Sequence, residues 1–183
     1  VRFQSWLVVV ALKREHQCIE NATIKSSHIY FEDNAMVKNY TSQVPVNRSV
    51  QHIEDRLVKH GAKNILKLYD NKKLTGVAFI VSVNQKDIPF RLPARIDRVE
   101  KQLRSTIKRP RTGTMDRIVQ QAERTAWRLL ADWVDVQISL IELDQVELIE
   151  VFMPYIYDHT SDQTFFEKMK ASGFKLLENR KGD

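Results

Sequence analysis

Cysteine occurs once in 183 residues, at Cys18, which excludes an internal disulfide, and the lack of any CxxC or Cys/His cluster leaves no structural zinc site. A reducing cytoplasm is the compartment expected. Long apolar runs are missing too: the longest, Trp6 to Leu12, falls far short of the roughly 20 residues that cross a bilayer. Arg2 precedes that run, but Lys13 and Arg14 follow at once without a small-residue cleavage site, which argues against a secretory signal. Glycine and proline number five each, and neither an internal repeat nor a low-complexity tract is visible. There is no Walker loop, dinucleotide-binding glycine pattern, GxSxG elbow or Cys/His nucleophile pair. Neither an enzymatic activity nor a cofactor is expected.

What remains is an ordinary globular composition, 43% apolar and 28% charged, in a length that suits one domain with its own core. The chain opens on Val1, while Met36 begins a segment whose helix, turn and strand signals agree with one another. Residues 1–35 therefore read either as an upstream extension or as a peripheral strand and loop, residues 36–178 as the α+β domain, and 179–183 as a solvated tail.

Periodicity orders the domain. Residues 36–48 form a polar lead-in containing Pro45, and Ser49 is then a plausible N-cap for a short helix with Val50, Ile53, Leu57 and Val58 on one face and Gly61 as its stop. A β-prone run over 63–69 ends in the polar turn Asp70–Lys73, and Val77, Phe79, Val81 and Val83 then alternate as in a strand with one buried face. A second turn, Asn84 to Asp87, leads to Ile88, Phe90 and Leu92, where Pro89 and Pro93 place the strand at an edge because proline lacks the ladder donor. Ile96, Val99, Leu103 and Ile107 recur at helical spacing over about 94–108, and the loop Arg109–Gly113 breaks the pattern.

Thr114 is then positioned to cap a helix that neither glycine nor proline interrupts as far as 143. Its apolar positions fall on two faces, Ile118, Ala122, Ala126, Leu129, Trp133, Val136 and Leu140 on one and Trp127, Leu130, Val134, Ile138 and Ile141 on the other. Asp144 with Glu147 has the form of a capping box for a short helix stopped by Pro154, and a last helix over about 163–172 is expected to bury Phe165, Phe166 and Met169. The fold class is thus α+β: helix, three-stranded antiparallel sheet, helix, a long aromatic-rich helix and two short C-terminal helices.

Charge is distributed unevenly along this plan. Arg91 to Arg128 holds eleven Lys or Arg against four Asp or Glu, whereas Leu129 to Asp158 holds seven acidic residues and no Lys or Arg. Arg117, Arg124 and Arg128 share a side of the long helix, and with Arg95, Arg98, Arg104, Lys108, Arg109 and Arg111 they can form a strip that meets the phosphates of DNA or RNA. The alternative is that these side chains solvate helix surfaces and pair with Asp97, Glu100, Glu123 and Asp132. Trp127 and Trp133 fit core packing better than base stacking. Asp132, Asp135 and Glu142 can share part of a helix face, and clustered carboxylates are what Mg²⁺ sites use, but a solvated acidic face explains them more simply. The histidines, His16, His28, His52, His60 and His159, show no metal-ligand spacing, so no metal site is expected.

Three runs carry a resemblance: IPFRLP at Ile88–Pro93, AERTAWRLLADWVDVQ at Ala122–Gln137 and EVFMPY at Glu150–Tyr155. Together, over roughly residues 44–157, they resemble a group of small uncharacterised proteins of tailed bacteriophages and prophages. The resemblance implies a bacterial host cytoplasm and no assigned activity or site. The order helix, three strands, helix also matches double-stranded RNA-binding domains, without their lysine-rich helix start. Two functional expectations follow. One is a non-enzymatic nucleic-acid-associated protein using the basic segment. The other is an interaction or assembly module, pairing with itself or another phage protein through the apolar face of the long helix.

Overall fold

The computed structural model describes residues 37–109 and 111–175; the segment 1–35 and the tail 179–183 lie outside the described residues. Helix α1 runs from Val46 to Lys59 and buries Val50, Ile53 and Leu57. It starts earlier than expected. Pro45, with its φ of −60°, stands at the N-cap because proline presets helix-compatible geometry and gives up no needed donor. Ser49 is therefore not the cap but a buried residue one turn in, and Val58, one position around from Leu57, is exposed. Gly61, at φ 86°, ends the helix in the left-handed conformation that glycine adopts without strain.

Strands β1 (Ala62–Asp70), β2 (Lys73–Val83) and β3 (Lys86–Pro93) form an antiparallel sheet in the order β1-β2-β3. Both connections are two-residue turns, Asn71–Lys72 and Asn84–Gln85, with φ between 46° and 65° at all four residues. Such mirror-image turns carry the twist that matches the strands they join. On the inner face Val77 pairs with Leu92, Phe79 with Phe90 and Val81 with Ile88, so the alternation seen in the sequence is the core face of the sheet. β3 lies at an edge, as its prolines require.

Helix α2 (Ile96–Ser105) packs on α3 (Thr114–Glu142) through the half-buried Ile96, Val99 and Leu103. It is shorter than expected because the hydroxyls of Ser105 and Thr106 donate to the carbonyls of Gln102 and Leu103, at 2.7 Å each, competing with helix propagation. Thr114 is not the cap of α3: Gly113 holds that position at φ 75°, and the Thr114 hydroxyl accepts from the Arg111 N–H at 3.0 Å. At about 1.5 Å per residue, α3 spans about 43 Å. Its neighbours change along that length. Trp127, Ala131, Val134 and Ile138 join the main core with α1 and the sheet, whereas Ile118, Ala122 and Ala126 are buried apart from that cluster. Trp133 of the first expected face and Trp127 and Val134 of the second both pack on that main core, and Val136, at 55% exposure, is left outside it.

Beyond α3, Asp144 turns at φ 52°, and the capping box is made by Glu147 and Glu150 instead of Asp144 and Glu147. Helix α4 (Leu148–Phe152) then passes into a tight 3₁₀ turn, Met153–Tyr155. A two-residue hairpin, β4 (Tyr157–Asp158) with β5 (Gln163–Thr164), was not anticipated; it leads into α5 (Phe165–Ala171), capped reciprocally by Thr164 and Glu167. Of the three residues expected to be buried there only Met169 is, and Phe165 and Phe166 are 40% and 48% exposed.

The three distinctive sequence runs meet in one place. Phe90 of β3 stacks on Phe79 at 5.2 Å, Phe152 of α4 meets both of these rings edge-on, and Trp133 of α3 meets Phe152 at 5.5 Å and Tyr155 at 5.4 Å. The runs are thus largely core-building sequence. No helix of the described residues is long and apolar enough to cross a membrane.

Candidate nucleic-acid interface

Helix α2, the loop 106–113 and the first half of α3 form a helix–loop–helix hairpin. Arg98, Lys108, Arg109, Arg111 and Arg117 are exposed on it, and none forms an ion pair among the described residues. Lys101, on the same helix as Arg98 but outside the expected set, is also exposed and unpaired among those residues. Its sequence signal was the same as that of its neighbours, a cation on the polar side of an amphipathic helix.

The other expected cations are engaged. Arg104 pairs with Glu100 at 2.5 Å, Arg128 with Asp132 at 3.0 Å and Arg95 with Glu167 at 3.5 Å. Arg95 also precedes α2, whose ten residues set it about 15 Å from the loop, so the nine residues do not make one continuous strip. Arg124 is a separate case. Its Nη2 and Nε donate to Oε1 of Gln121 at 2.6 and 3.3 Å, while Nε2 of Gln121 donates to the Ser42 carbonyl at 3.1 Å and to Thr125 Oγ1 at 3.3 Å. A neutral amide, itself anchored twice, holds this guanidinium without cancelling its charge.

The acidic half of α3 has a different fate. Asp135 takes His52 at 2.5 Å and Arg56 at 3.0 Å, and Glu142 takes His60 at 3.0 Å, Arg56 at 3.5 Å and Lys59 at 3.6 Å, all from α1 or its C-cap. Asp132 takes Lys38 and Arg128, each at 3.0 Å, and a hydrogen bond from Asn39. Burial opposes ionisation of Asp132, but Asn39, Lys38 and Arg128 outweigh it and hold the carboxyl below its ordinary range. Glu142 is likewise lowered: desolvation works against the charge and Arg56, Lys59 and His60 prevail. These carboxylates tie α3 to its neighbours, and no group of three or more His, Cys, Asp or Glu among the described residues is placed to hold a metal ion.

The tryptophans of the described residues give the surface nothing to stack on. Trp127 is 1% exposed, and Trp133 is packed between Phe152 and Tyr155. His159 meets Tyr157 edge-on at 4.8 Å, remote in sequence from the hairpin. Cys18, His16 and His28 lie outside the described residues. No protein-family model matches the chain, and neither a curated protein nor a solved structure matches it.

Proposed function

We propose that this chain is a phage-related, non-enzymatic, nucleic-acid-associated protein that holds the phosphate backbone through the helix–loop–helix segment 95–128, with little sequence preference. One observation carries the reading. The negative half of α3 is paired within the fold with the cations Lys38, Arg56 and Lys59, with His52 and His60 within hydrogen-bonding distance of Asp135 and Glu142, whereas Arg98, Lys108, Arg109, Arg111 and Arg117 across the hairpin have no carboxylate partner among the described residues. A polyanion completes what the fold leaves open. Neutralising each phosphate releases condensed counterions, so affinity falls steeply with salt. Contacts of this kind position a protein on a backbone without reading bases. The phage assignment rests on the three sequence runs alone.

The test is binding of short single- and double-stranded DNA and RNA across a salt series. Measurable affinity at low salt, a steep negative dependence on salt and a loss of most of that slope in the Lys108→Ser, Arg109→Ser, Arg111→Ser, Arg117→Ser variant are expected. Absence of binding at low salt, or an unchanged slope in the variant, removes the proposal.

A second reading has its own observation. Val136 on the long helix and Leu143 at its C-cap, seven residues apart, are 55% and 66% exposed, and side chains at this spacing share a helix face. An assembly module would use that face, with charge asymmetry setting orientation. Light scattering over a concentration range decides it: a strict monomer removes self-association.

A further inference from the structure

A cavity of about 490 Å³ lies between α2 and α3 beside the basic loop, within the roughly 300–1,000 Å³ range of ligand sites. Leu103 from the end of α2, Ile107 from the loop that follows and Ile118 from α3 line it, together with Tyr40 from the segment before α1. Arg117 and Arg124 belong to the same lining. Aliphatic walls, one aromatic side chain and two arginines are therefore brought together from three separate parts of the chain.

The arginines distinguish this cavity from an ordinary gap between helices. Arg117 is exposed and has no carboxylate partner among the described residues, and Arg124 is oriented by the neutral Gln121 amide, whose own position is set by Ser42 and Thr125. An occupant complementary to this lining is anionic at one end, and flat or apolar at the other. The neighbouring loop continues the positive charge through Lys108, Arg109 and Arg111, so a ligand that carries further phosphates beyond the cavity is matched better than an isolated one.

We infer that the cavity receives one unpaired base of a single-stranded nucleic acid, set against Tyr40 and the aliphatic walls, with its phosphate on Arg117 and Arg124 and the adjoining phosphates along the loop. This rests on the backbone-binding reading above and adds a preference for single strands. A base held in a duplex must be unstacked and unpaired before it enters such a pocket, whereas an unpaired base reaches it at no such cost and gains stacking and apolar contact.

The full chain is tested by fluorescence anisotropy against four probes: a single strand, its duplex of equal length, an abasic strand of the same length, and a free nucleoside monophosphate. The abasic strand retains each phosphate and lacks every base. The single strand is expected to bind about tenfold more tightly than the duplex and than the abasic strand. Tyr40→Ala is expected to lose about tenfold on the intact strand and nothing on the abasic strand, with Tyr40→Phe restoring the difference. Equal affinity for the intact and abasic strands overturns the pocket and leaves backbone binding standing, as does an equal loss on both in Tyr40→Ala. A monophosphate that competes at concentrations similar to the strand overturns the assignment to a polymer. Failure of all probes to bind at low salt removes the backbone reading itself. Because the comparison of intact with abasic strands needs no variant, it holds even if Tyr40→Ala folds poorly.

Discussion

Asn39 donates a 2.9 Å hydrogen bond to the Asp132 carboxylate across 93 residues of chain, and the same carboxylate accepts Lys38 and Arg128. The segment before α1 is thereby tied to the middle of α3. The Asp132 carboxyl has its pKa lowered from an ordinary 3.8, so its stabilising contribution is present above that value and is lost as pH falls through the folded value. Asp132→Asn is expected to cost about 1 kcal/mol at neutral pH. The gap between the two proteins should narrow below about pH 4. Urea denaturation at a series of pH values measures it, and a gap that stays constant into strong acid would show that the ion pairs contribute nothing.

The paired and unpaired cations of the hairpin should behave differently. Replacing Arg111 or Arg117 by serine is expected to reduce the salt dependence of duplex binding by about 0.9 in log–log slope for each phosphate contact removed. Arg104→Ser and Arg128→Ser are expected to do less, because Glu100 and Asp132 already hold those side chains and must release them first. Equal effects at all four positions would show that the ion pairs do not compete with phosphate.

Gly76 sits in the middle strand opposite Pro93, where a Cβ would lie 2.8 Å from the Leu92 carbonyl oxygen. The obstructing atom is backbone in a paired strand and cannot rotate away. Gly76→Ala is expected to destabilise the fold by about 2 kcal/mol, read from the midpoint of chemical denaturation. An unchanged midpoint would mean that β2 and β3 separate easily.

Phe152 is fully buried and touches Phe79, Phe90 and Trp133. Phe152→Ala is expected to cost about 3–5 kcal/mol, and Phe152→Leu about 1 kcal/mol. The near-ultraviolet circular dichroism of the tryptophans should change in both, since Trp133 loses its edge-on partner. Preservation of that signal in Phe152→Ala would contradict the packing described.

Much of the fold was readable because its signals are local. Val77, Phe79 and Val81 alternate, Pro89 and Pro93 mark an edge, and α3 runs 29 residues without a breaker. The misread details were choices among near-equivalent local options. Ser49 and Thr114 are good caps by side chain, but Pro45 and Gly113 hold those positions because backbone geometry around them sets where each helix starts. Phe165 and Phe166 are exposed for another reason: this short helix is apolar on more sides than its neighbours cover.

The candidate site divides along the same line. By itself the amino-acid order determined that the basic and acidic stretches are adjacent and that the sign of charge reverses within α3, because this depends only on which residues follow one another. Tertiary structure alone decided which charged side chains find partners. His52, Arg56 and His60 reach Asp135 and Glu142 only because α1 packs along α3, and Gln121 can hold Arg124 firmly only because Ser42 is folded against it. Electrostatic pairing acts over a few ångströms, and the residues that pair across this domain are tens of positions apart in the chain.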